Sequence, residues 1–146
     1  MKIFSKRIIT VVVACMMACL MSVTPALAAG SFTKTTVKLN AYSGGSSTKS
    51  TVTSGTVGDN QSVTKVELRC TVSAGSDPYT LYVKSPEGST ESFVGPIPTD
   101  TITTTAFNGE NPYGTWTIWI VNNNVSLNGN IRPVSTVTVR IKVIYS

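Results

Sequence analysis

The stretch Phe107–Val121, FNGENPYGTWTIWIV, changes character at Gly114. Before it, Asn108-Gly109 and Asn111-Pro112-Tyr113-Gly114 bring together residues suited to left-handed or φ-fixed positions, the composition of a turn. After it polarity alternates, with Trp116, Ile118 and Ile120 on one side and Thr115, Thr117, Trp119 and Val121 on the other. That is the period of a strand. A Trp among β-branched neighbours suits a half-buried pleated surface, so Trp116 is the expected core anchor. Gly114 and Glu110 are expected to shape the loop that leads into it.

The same alternation recurs on both sides of this segment. Ser135–Tyr145 places Val137, Val139, Ile141, Val143 and Tyr145 on one face, and Val63–Val72 does so with Val66, Leu68, Cys70 and Val72. Tyr79–Ser85 puts Leu81 and Val83 inward and Thr80, Tyr82 and Lys84 outward, then turns at Pro86-Glu87-Gly88 into Ser89–Val94 as a hairpin. Thr101–Ala106 reads as an edge strand. Phe32–Ala41 reads as a first strand with Val37 and Leu39 on one face, and Gly58-Asp59-Asn60 and Asn128-Gly129 read as turns. Helix formers are scarce after residue 29. The expected fold is an all-β antiparallel β-sandwich or jelly roll of seven to eight strands.

The N-terminus has a different composition. Lys2, Lys6 and Arg7 precede an apolar run from Ile8 to Val23, followed by Pro25 and Ala26-Leu27-Ala28. This is the order of a secretory signal peptide, and the run is shorter than the ~20 residues of a spanning helix. Residues 1–28 are thus expected to be a cleaved leader, with no membrane span left afterwards. Residues 29–62 would carry a first strand and a Ser/Thr/Gly-rich segment, and 63–146 the rest of the same domain. Without the leader the formal charge falls from +5 to +2, and the remaining bases are scattered, which argues against nucleic acid as a partner. Of three cysteines only Cys70 lies beyond the leader, so a disulfide framework is excluded. Its register with Val66 and Leu68 marks it as a buried thiol.

The chain contains no histidine, which removes Ser-His-Asp and Cys-His catalysis and His-ligated zinc. No phosphate loop or EF-hand is present, and no spacing pairs two carboxylates for glycoside hydrolysis. The expectation is therefore no enzyme and no cofactor. Calcium held by Asp77, Asp100 or Glu110 with backbone carbonyls stays open as the metal alternative. The aromatics are the better lead. Tyr42, Tyr79, Tyr82, Tyr113 and Trp119 are not all needed for one core, and flat amphipathic rings such as Trp119, Tyr82, Tyr113 and Tyr79 stack on sugars or form protein-binding patches.

Two segments carry a family resemblance. In Tyr79–Thr90, YTLYVKSPEGST, an alternating strand runs into Ser85-Pro86-Glu87-Gly88-Ser89; the second segment has Phe107, Gly109, Glu110, Gly114, Thr115, Trp116, Thr117 and Ile118. Together they resemble the P domain (P/homo B domain) of proprotein convertases and bacterial secreted subtilisin-like proteases, over roughly Val63–Tyr145. The chain departs from that pattern at Ser76-Asp77-Pro78, at Asn122 and in Pro133–Thr136, where the family has Gly-Asp-Leu, an acid and a Trp. The resemblance implies a jelly-roll sandwich with a non-catalytic role beside a protease.

Residues and resemblance lead to one expectation, a secreted module holding an extracellular protein, a protease among them, or a surface carbohydrate through loops and exposed aromatics. The alternative is a self-assembling or membrane-active secreted protein, since Thr-rich edge strands can pair between chains.

Overall fold

The alternating segments form nine strands: β1 (Gly30–Thr35), β2 (Leu39–Ala41), β3 (Ser50–Thr53), β4 (Val63–Ala74), β5 (Tyr79–Lys84), β6 (Thr90–Val94), β7 (Ile102–Thr104), β8 (Thr115–Asn122) and β9 (Ser135–Tyr145). The computed structural model describes residues 29–75, 77–95, 101–124 and 135–146, and contains no helix among them. The leader, Asp100 and the Asn128-Gly129 turn lie outside the described residues. One sheet runs β1-β9-β4-β7, with β2 also on β9; the other runs β3-β8-β5-β6. All pairings are antiparallel.

Strand count exceeds the expectation because the first segment breaks. Thr35 pairs with Arg140 and Leu39 with Val137, so one extra residue is accommodated between β1 and β2. Thr36 supports the break with both of its polar groups. Its N–H donates to the Val139 carbonyl at 2.9 Å, and its hydroxyl accepts the Val139 N–H at 3.0 Å in place of a backbone carbonyl. An inserted residue inverts the side-chain alternation beyond it. Leu39 is therefore fully buried while Val37 is 67% exposed, against the expectation that they share a face.

The core lies between the inner faces. Leu39, Leu68, Val139 and Ile141 from one sheet meet Leu81, Val83, Ile118 and Ile120 from the other, each fully buried. Trp116 is their centre, as expected, at zero exposure. Phe107 meets it edge to face at 5.3 Å, and its indole N–H donates to the Pro112 carbonyl at 3.3 Å. Fully burying an apolar side chain contributes about 1.5–3 kcal/mol, so the facing rows dominate the stability of a domain this size. Val72 was expected inside but is 38% exposed, because a register shift between Val72 and Ala74 turns the end of β4 out of the stack.

Candidate functional site

Three turns meet at one end of the sandwich. The turn before β4 contains Asn60 at φ 58°, a left-handed conformation that Asn tolerates better than most side chains. The β5–β6 turn closes with the Ser85 N–H donating to the Ser89 carbonyl at 2.9 Å. The third turn leads into β8. There the Asn111 side chain accepts the Tyr113 N–H at 2.9 Å, a local bond typical of Asn in turns.

Strand ends clamp the third loop. Gly109 N–H donates to the Val63 carbonyl at 2.9 Å, and Val63 N–H donates to the Glu110 carbonyl at 2.8 Å. Gly114 exchanges with Ser54, its N–H donating to the hydroxyl and its carbonyl accepting the Ser54 N–H, both at 3.0 Å. Glu87 supplies the last tie, its carboxylate accepting the Asn111 N–H at 2.7 Å. Glu110 was expected to brace this loop with its side chain; instead its backbone does so, and its Oε2 is buried with no hydrogen-bond partner. The bracing carboxylate belongs to Glu87, in the turn across the gap.

These turns enclose a cleft of about 580 Å³. Asp59, Gln61, Glu87, Asn111 and Tyr113 are among its lining residues, and among the described residues no Lys or Arg is. The Tyr113 ring is 61% exposed at its edge. Gln61 Oε1 is buried without a partner. The cleft thus offers carboxylate and amide oxygens as acceptors beside one aromatic surface.

The other aromatics are distributed differently from the expectation. Tyr82 and Trp119 do come together as cross-strand partners on the outer face of the β3-β8-β5-β6 sheet, with centroids 5.1 Å apart and planes within 6°. Lys49 Nζ lies 4.9 Å from the Trp119 centroid. Lys49, just before β3, and Tyr82, on β5, reach the indole from the two strands that flank β8. The pair therefore stacks on itself rather than forming an open platform. Tyr79 is not a surface ligand residue at all: it is fully buried. It shares the parity of Leu81 and Val83, and Gly95 lies against its ring, where a Cβ would come within 2.6 Å of the Tyr79 Cζ.

Cys70 is buried, as expected, and burial pushes its thiol up to about 11, opposed in part by a hydrogen bond with Tyr79. A thiol held that high stays protonated at neutral pH and is a poor nucleophile. Of the calcium candidates, Asp77 accepts a bond from the Asn124 amide at 3.1 Å, Glu110 lies in the loop before β8, and Asp100 is outside the described residues. Among the described residues no three His, Cys, Asp or Glu side chains converge as a metal site.

Two facing antiparallel sheets with a loop-built cleft at one end define a small all-β protein. No family model and no curated protein matches the chain. Among solved structures it is similar to that of FlhE, with a TM-score of 0.56 at 18% identity, over 82% of this chain and 98% of that one. At that identity the likeness concerns the fold. No helix among the described residues is long and apolar enough to cross a membrane.

Proposed function

We propose that this chain is an exported, non-catalytic module that holds a saccharide in the end cleft. The observation that carries the reading is the exposed Tyr113 ring on the same cleft as the Asp59 and Glu87 carboxylates and the Asn111 amide. Sugar hydroxyls donate to such oxygens while the C–H face of the ring rests on an aromatic side chain. The cleft volume falls in the range of small-molecule sites, about 300–1,000 Å³. Export is supported by the leader-like order of residues 1–28. Both segments that resemble the P domain contribute to this cleft, Glu87 from one and Asn111 with Tyr113 from the other. That agrees with an accessory, non-catalytic role.

Two carboxylates on one cleft also raise glycoside hydrolysis. Against it, Asp59 and Glu87 are both exposed, and one Glu87 oxygen is already tied to the Asn111 N–H. Incubating the folded, exported protein with cell-wall polysaccharides decides both questions. Retention on a polysaccharide with no new reducing ends is the expected result. Absence of retention at micromolar protein removes the saccharide reading, and released reducing ends replace it with catalysis.

One observation favours a second reading. Among the described residues β6 pairs only with β5, and Val94 at its end is 80% exposed. An open edge of this kind accepts a strand from another chain. A mass that rises with concentration in light scattering would favour self-assembly over the saccharide module.

A further inference from the structure

We infer that the outer face of the β1-β9-β4-β7 sheet carries a second site, for a soluble polymer bearing repeated phosphate groups. Arg69 on β4 and Arg140 on β9 are direct cross-strand partners. Residues so placed are about 4.5–5.5 Å apart at Cα, and like charges there repel. The nearest described acid does not relieve them. Glu67 is occupied by Lys65 at 2.9 Å and by Lys142 at 3.7 Å, and these two hold its carboxyl below the usual range. Neither arginine is in an ion pair among the described residues.

The pair sits in a recess of about 250 Å³, with Glu67, Thr101 and Lys142 as the other lining residues. Thr35 is the cross-strand partner of Arg140 on the far side, which puts hydroxyls at both ends of the arginine row. Lys65, Arg69, Arg140 and Lys142 against Glu67 leave this face at +3, although residues 29–146 carry only +2 in all. The positive excess of the domain is thus concentrated on one surface.

Guanidinium chemistry selects the ligand. A carboxylate has one pair of oxygens, enough for a single guanidinium fork. A phosphate has more, so two arginines one strand apart can share one group while Lys142 and the threonine hydroxyls meet its neighbours. Among the described residues no aromatic ring stands next to the arginine row for a base to stack on; the flanking cross-strand pairs are Glu67–Lys142 and Thr71–Thr138. That favours a polyphosphate-type polymer over single-stranded nucleic acid.

The test is calorimetric titration of the folded, exported protein with short-chain polyphosphate at low and high salt. Expected is binding that weakens steeply with salt, and that falls about tenfold in Arg69→Gln and in Arg140→Gln. Lys84→Gln, on the opposite sheet, should leave it unchanged. Should the Gln variants not fold, Arg69→Lys and Arg140→Lys keep the charge and lose the fork, and weaker binding is still expected. No binding overturns the proposal, as does equal weakening by Lys84→Gln, which would mean diffuse attraction. Binding only to vesicles containing anionic lipid would assign the face to a membrane surface instead.

Discussion

Asn111 donates its backbone N–H to the Glu87 carboxylate at 2.7 Å, joining two turns that lie 24 residues apart in sequence. This one bond thereby ties together two of the turns that line the cleft. Glu87→Ala is expected to lower the unfolding free energy by about 1 kcal/mol and to reduce saccharide retention. Glu87→Gln, which still presents a carbonyl oxygen to Asn111, should keep most of the stability. Denaturant midpoints for the two variants check this.

Tyr113 is exposed, so its role should separate from folding. Tyr113→Ala is expected to weaken saccharide binding about tenfold, a loss typical of one stacked ring, with stability changed by less than about 0.5 kcal/mol. Affinity electrophoresis alongside a thermal melt reads both.

The two tryptophans should differ sharply. Trp116 is fully buried against Phe107, and Trp116→Ala is expected to cost about 3–5 kcal/mol. Trp119 stands half-buried on the outer face, and Trp119→Ala should cost about 1 kcal/mol through the lost Tyr82 and Lys49 contacts. Urea unfolding of both proteins measures the contrast.

Cys70 gives the chain a pH signature. Its thiol rises from an ordinary 9.0 to about 11 on folding, chiefly through burial. Between those values the unfolded chain releases a proton that the folded chain keeps, so stability falls as pH rises through that window and is unaffected by Cys70 below it. The slope should flatten in Cys70→Ala. At about pH 8 a thiol reagent should leave Cys70 unlabelled until denaturant is added, as read by peptide mapping.

Gly114 adopts φ 128°, and a Cβ there would meet the Pro86 Cβ at 2.9 Å. Gly114→Ala therefore combines backbone strain with a clash between the two turns. A loss above about 1 kcal/mol is expected in equilibrium unfolding.

The sandwich was legible because period-two alternation is local: Trp116, Ile118, Ile120 and the β9 row face inward as their spacing requires. Tyr79 obeys the same rule, since it shares the parity of the buried Leu81 and Val83. The break at Thr36 was not legible. It depends on a hydroxyl meeting the Val139 N–H, 103 residues away, and no local pattern encodes that partner. The cleft was hidden for the same reason. Asp59, Glu87 and Asn111 look like ordinary turn residues until long-range pairing brings their turns together. Arg69 and Arg140 likewise read as scattered bases until the β4–β9 register makes them neighbours.

Ser146 exchanges two backbone hydrogen bonds with Ser62, at 3.0 and 3.1 Å, and Gly30 and Val63 both pair with Tyr145. Ser62 also lines the cleft. An affinity handle fused after Ser146 would consequently leave the domain beside Ser62, at the cleft. Surface immobilisation through a tag at that position would turn the cleft toward the support and mask it. Coupling through a lysine such as Lys38, in the bend between β1 and β2, would leave it facing the solution.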